Sequence, residues 1–220
     1  MNAGPAETAP ILTLQPGTAG PALVCVPPVS GSPYGYLPLV GSLDAEQPVY
    51  ALEAPGYDGG GRPATSLPEL SGRYTRALRE ARPHGAYCLL GWSMGGVVAY
   101  DMALRLTAAG VGVPLLILVD TAFPSALPPP APGPARLRAF VTDLLARYRI
   151  SSTFPGRITL LRAGESRPEL MCWQRAAAEV ETHVVPGDHY SIWRGEGLGH
   201  LSHAVRLSLA RVRSPARGPA

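Results

Sequence analysis

The chain contains no lysine: every one of its 19 basic side chains is arginine, set against 16 acidic ones for a net charge of +3. The arginines are spread along the sequence instead of forming a cluster, so they do not make a nucleic-acid footprint. With the abundant alanine, glycine and proline, they read as the coding bias of a GC-rich genome. Cysteine is scarce. Cys25 and Cys88 sit in apolar runs, where a thiol behaves as a small hydrophobe, and neither a disulfide framework nor a Cys/His metal spacing can be built from three thiols. Long apolar runs are missing too. The longest, Val113 to Val119, is interrupted by Pro114 and is far too short to span a bilayer. No basic stretch followed by an apolar core opens the chain, so no secretion signal is expected and the cytoplasm is the expected compartment. At 220 residues, 46% hydrophobic and 16% charged, a single globular domain with a sizeable core is expected over 1–220.

The most informative stretch is Tyr87 to Tyr100. An apolar run, Tyr87–Leu90, suits a buried strand, and Val97–Leu106 has helical spacing. Between them Gly91-Trp92-Ser93-Met94-Gly95 fits G-x-S-x-G, in which a serine projects from a strained strand-to-helix turn. Small residues are needed around such a turn, and the helix starting there aims free N–H groups at an oxyanion beside Ser93. Ser93 is the expected nucleophile.

Further strands are expected at Ile11–Leu14, Ala22–Val26, Val49–Leu52, Leu115–Val119, Ile158–Leu161 and Thr182–Val185. Helices are expected from Ser66, an N-cap, to about Ala81, from Met94 to about Ala109, over 135–149, over Leu170–Ala178 and over 197–213. Residues 1–10 and 214–220 are expected to be flexible. This alternation predicts an α/β fold with a mostly parallel central sheet and helices on both faces. Sites in such sheets lie beyond the C-terminal strand ends, where Pro27, Ser93 and Asp120 all fall.

A serine hydroxyl needs a base, and the base needs an orienting group. Of the five histidines only His189 lies in a loop directly after a late strand. His84 precedes a strand, His183 is inside one, and His200 and His203 sit in the last helix. Two acids compete: Asp120, at the end of the strand after the elbow helix, and Glu165, after Ile158–Leu161. Asp188, beside the base, is expected to serve its own turn. The oxyanion hole is expected at the N–H groups of Met94 and Val29, the latter in a small, flexible loop running to Tyr36. Tyr34, Tyr36, Trp92 and Phe123 are candidate apolar lining.

Several pieces together resemble the thioesterase domains that end nonribosomal peptide and polyketide synthetases, members of the α/β-hydrolase superfamily. These are Pro27-Pro28-Val29-Ser30-Gly31, Ala54-Pro55-Gly56, Gly85 to Gly96, Ala99-Tyr100-Asp101-Met102-Ala103, Leu118-Val119-Asp120 and Val185-Pro186-Gly187-Asp188-His189-Tyr190, with Trp173 ahead of the last. The resemblance implies that Asp120 is the triad acid, and it adds Trp173 and Tyr190 to the candidate substrate-binding residues. It further implies that the substrate arrives as a thioester on the 4'-phosphopantetheine of an acyl or peptidyl carrier protein. No cofactor or metal bound by the domain itself is implied, and no membrane or nucleic-acid partner. The chain departs from the family in the room left for a lid: only about thirty residues, 123–154, with the 135–149 helix as a reduced lid or a scaffold element. A free-standing editing thioesterase resembles it less, since Trp92 stands where that group usually carries histidine. The same nucleophile and base would also suit a small-molecule esterase, and the same fold could serve as a silent module that only binds acyl chains.

Overall fold

In the computed structural model of the chain the described residues are 11–54, 62–126 and 144–213. Seven strands form one sheet: β1 Ile11–Gln15, β2 Ala22–Val26, β3 Val49–Leu52, β4 Tyr87–Trp92, β5 Leu115–Val119, β6 Phe154–Ala163 and β7 Ala177–Val185. Their order is β1-β3-β2-β4-β5-β6-β7, parallel throughout except for the antiparallel edge strand β1. β2, β4 and β5 are apolar along nearly their whole length because both sheet faces are covered, so successive side chains point into two different cores.

One core holds Val24, Leu89, Leu116 and Leu118 against α2, Leu67–Ala81, and α3, Met94–Ala108. The other holds Leu23, Cys25, Leu90 and Ile117 against the short α1, Leu37–Val40, and the C-terminal α4, Gly195–Arg213. Burying these side chains from both faces contributes on the order of 2 kcal/mol for each large aliphatic residue. Strand pairing in register then brings the ends of β2, β4, β5 and β6 together at one edge of the layer. The Ser66 cap is present as the sequence predicts: its hydroxyl accepts the Glu69 N–H at 3.2 Å, and Pro68 occupies the first turn. Gly110, at φ +73, follows the end of α3 as expected.

Three expectations need correction. Residues 170–178 are not a helix. Two single 3-10 turns, Pro168–Leu170 and Trp173–Arg175, lead directly into β7, whose register with β6 begins at Phe154–Ala177. β7 is therefore nine residues long, not the four of Thr182–Val185. Its first part carries Glu179 and Glu181 because it is an edge strand with much of its length exposed, so no apolar run marks it in the sequence. The loop after β2 is also not loose. Pro28 to Gly31 close a turn by a Gly31 N–H to Pro28 carbonyl bond of 2.9 Å, and a 3-10 turn, Tyr34–Tyr36, runs into α1. Tyr36 is fully buried; its hydroxyl donates to the Val26 carbonyl and accepts the Trp92 N–H at 3.1 Å. It braces β2 to β4 and is not part of a lining.

The expected 135–149 helix lies largely outside the described residues, as do the two termini. Within the described part, residues 144–147 are helical, and Leu145 and Tyr148 are buried in the first core. Tyr148 donates to Asp101 Oδ1 at 2.8 Å, while Arg105 Nε meets Asp101 Oδ2 at 2.7 Å and the Ser71 hydroxyl donates to the same oxygen. That buried carboxylate thus ties α2, α3 and the 144–148 segment into one block. No helix among the described residues is long and apolar enough to cross a membrane, and no group of three or more His, Cys, Asp or Glu there is arranged to hold a metal.

Candidate active site

Ser93 sits between the last residue of β4 and the first of α3 at φ 57 and ψ −126. An L-residue adopts that conformation only under constraint, at a cost of about 1–3 kcal/mol. The constraint is visible. The Ser93 N–H continues the β4–β5 pairing by donating to the Val119 carbonyl at 2.9 Å, and its own carbonyl accepts the Gly96 N–H at 3.1 Å. The glycines of the motif allow the turn to close. A Cβ on Gly91 would lie 2.2 Å from the Gly95 carbonyl oxygen, and one on Gly95 would lie 2.4 Å from that of Val26. No other side chain fits at either place.

The second non-glycine residue with positive φ among those described is Asp120, at φ 40. It ends β5, is only 4% exposed, and is held by its own N–H donating to the Leu161 carbonyl at 2.7 Å. Its carboxylate meets His189 Nδ1 at 2.6 Å through Oδ2. Oδ2 also accepts the Ser166 hydroxyl at 2.8 Å, and Oδ1 accepts the Ala163 N–H at 2.9 Å. Burial pushes this carboxyl up. The hydrogen bonds from His189, Ala163 and Ser166 outweigh that effect and hold it below the usual aspartate value, so Asp120 is ionised at neutral pH. An imidazole donating from Nδ1 to that carboxylate keeps Nε2 free as an acceptor.

His189 is delivered by the turn after β7. Asp188 serves that turn, as its position suggests: Oδ1 accepts the N–H groups of Tyr190 at 2.7 Å and Ser191 at 2.8 Å. The imidazole ring lies beside Trp92, centroids 5.2 Å apart, and edge-on to Tyr190 at 5.1 Å. Trp92 in turn packs on Trp193 at 5.3 Å. These rings fix the plane of the imidazole.

Ser93, Asp120 and His189 line one cavity of about 410 Å³, together with the apolar Met94, Val97, Ala122, Leu145 and Met171 and the polar Glu165, Ser166 and Arg167. Of the two candidate acids, Asp120 reaches the imidazole; Glu165 lines the cavity and has no contact with it. The other expected lining residues fall elsewhere. Trp173 is fully buried, packs against Tyr100 and Phe123, and donates its indole N–H to the Thr121 carbonyl at 2.7 Å, so it is core. Phe123 packs on Trp173, Tyr34 is about half exposed outside the cavity, and Trp92 and Tyr190 flank the base. Ser166 carried no signal in the sequence, because nothing in a Gly-Glu-Ser-Arg loop announces a bond to a residue 46 positions away.

A family model described as Thioesterase domain matches residues 21–155. Malpibaldin synthetase of Mortierella alpina is 42% identical over 115 residues, covering 52% of this chain and 2% of the synthetase. Non-reducing polyketide synthase crz7 of Cladonia metacorallifera is 36% identical over 190 residues, which is 86% of this chain and 9% of the synthase. The chain therefore spans only a small part of the length of these curated relatives. Among solved structures, the NocB thioesterase domain in covalent complex with a fluorophosphonate nocardicin G analog has a TM-score of 0.75 at 29% identity, with 90% of this chain and 99% of that one covered. The parallel sheet, the strained serine and these likenesses place the chain in one family: it belongs to the thioesterase domains, and it is similar to those of nonribosomal peptide and polyketide synthetases.

Proposed function

We propose that the domain releases an acyl, peptidyl or polyketide chain from the phosphopantetheine thioester of a carrier protein through an acyl-enzyme on Ser93. The observation that carries this is the 2.6 Å contact between His189 and Asp120 in the same cavity as a serine held at φ 57. Ser93 Oγ attacks the thioester carbonyl while His189 Nε2 takes its proton, and ionised Asp120 steadies the imidazolium. The oxyanion is received by the N–H of Met94, which as the first residue of α3 has no intrahelical acceptor, and by that of Val29, the first N–H after Pro27-Pro28. The pantetheine thiol leaves with the proton from His189. The same base then activates water, giving an acid, or an internal amine or hydroxyl of the bound chain, giving a ring.

On this reading the domain needs no cofactor of its own, and its macromolecular partner is the carrier protein. We assign the segment between β5 and β6 to a short lid insertion; residues 127–143 lie outside the described residues, and Leu145 in the cavity wall supports the reading. Turnover of synthetic acyl-pantetheine thioesters tests the whole scheme, with products separated into acids and rings. Ser93→Ala and His189→Ala should each abolish release, and Glu165→Gln should cost far less than Asp120→Asn. Intact mass after fluorophosphonate treatment should show one adduct, absent in Ser93→Ala; equal labelling of that variant overturns the mechanism and favours a silent binding module.

A further inference from the structure

With Asp120 occupied by the imidazole, Glu165 is left without the role its position after β6 first suggested. It nevertheless lines the reaction cavity, and among the described residues its carboxylate makes no hydrogen bond or ion pair. Arg167 lines the cavity as well, but it leans toward Glu169, with Nε and Oε1 3.9 Å apart. Among the described residues no ion pair joins the two opposite charges in the cavity.

The loop that presents Glu165 is braced on every side. Gly164 N–H donates to the Val185 carbonyl at 2.8 Å, and Glu165 N–H donates to that of Gly187 at 3.1 Å. The Arg162 guanidinium donates to the carbonyls of Ala163 at 3.0 Å and Ser166 at 2.7 Å, and the Ser166 side chain is fixed on Asp120. The backbone that carries this carboxylate therefore needs little reorganisation when the side chain meets a ligand. The same cavity is lined by Met94, Val97, Leu145 and Met171, all buried and apolar. An apolar lining that includes an unpaired anion matches an acyl group with a hydrocarbon body and a positive charge.

We infer that Glu165 is a specificity residue that selects an aminoacyl or peptidyl chain bearing a free ammonium group over an uncharged acyl chain of the same shape. The inference rests on the chain-release reading above. Because Glu165 is exposed, its preference has the size of a solvent-screened ion pair, about two- to fivefold in kcat/KM, and weakens with salt.

The test uses three pantetheine thioesters of one length class: leucyl-leucyl, its desamino isostere 4-methylpentanoyl-leucyl, and succinyl-leucyl. At pH 7 the α-amine is mostly charged. The wild-type domain should favour the amine over the isostere about two- to fivefold, through KM. Glu165→Gln should bring that ratio to about one, and Glu165→Arg should turn the preference toward the succinyl chain. A wild-type ratio of one, a ratio that survives Glu165→Gln, or a wild-type preference for the succinyl chain overturns the assignment; the last would give the selecting role to Arg167. Failure to turn over any of the three would instead strike the release reading itself.

Discussion

Ser166→Ala removes one of three donors to the Asp120 carboxylate and leaves the other two, from His189 and Ala163, in place. A hydrogen bond to a charged group contributes about 1.5–3 kcal/mol, and water can replace part of it here because Ser166 is half-buried. We therefore expect a loss of about 1–2 kcal/mol of stability at pH 7, with the native Asp120 pKa moved upward toward the usual aspartate value. The sign of the pH dependence follows. A carboxyl whose native pKa is depressed stabilises the fold above its unfolded value of about 3.9, and that stabilisation is lost as pH falls through the native value. The gap between wild type and variant should thus be full at pH 7 and shrink below about pH 4. Urea unfolding across that range measures it. If about 1 kcal/mol of the lost orientation is also felt in the transition state, kcat falls about fivefold with KM unchanged. Ser166→Thr, which keeps the hydroxyl, should restore both quantities. An equal stability gap at pH 7 and pH 3, with kcat intact, would show that the hydroxyl merely packs and would refute the argument.

Other expectations follow from the same geometry. Asp120→Asn should lower kcat by about 10⁴ while leaving the domain folded, because the amide favours the wrong imidazole tautomer; thioester kinetics beside a circular-dichroism spectrum checks both. Gly95→Ala places a methyl 2.4 Å from the Val26 carbonyl oxygen, so the elbow must open. Fluorophosphonate labelling should then fail, with at least about 1–3 kcal/mol of stability lost in thermal unfolding. Tyr148→Phe leaves one oxygen of buried Asp101 without its 2.8 Å donor and should cost about 1.5–3 kcal/mol in urea, with kcat on short acyl thioesters changed less than twofold. A larger fall in kcat would mean that the 144–148 segment acts on the chemistry directly.

How far the sequence could be read depended on how local the cause was. The strained serine was legible because Gly91, Ser93 and Gly95 lie within five positions, and steric exclusion acts over that distance. β2, β4 and β5 announced themselves as unbroken apolar runs because both their faces are buried. α2 was legible from Ser66 and the proline after it. The first part of β7 was not, since an edge strand exposes much of its length and its Ala-rich entry favours helix; pairing with β6 overrode that preference. Aromatic residues misled in the same way. Trp173 became a candidate lining residue through the family resemblance, yet an indole that can give its N–H to the Thr121 carbonyl fits the core as well as a pocket.

By itself, then, the sequence singled out Ser93 and His189 as candidates and determined the layered α/β plan, all through short-range rules of backbone sterics, capping and burial period. Residues alone left Asp120 and Glu165 level, and only a family likeness tipped the balance. The tertiary structure decided the matter physically: parallel registry puts the ends of β5, β6 and β7 side by side. There Asp120 meets an imidazole 69 residues away, Ser166 completes its hydrogen bonding, and Glu165 is left facing the cavity. Which carboxylate reaches a given histidine depends on where the strand ends stop in space, and no pattern along the chain carries that distance.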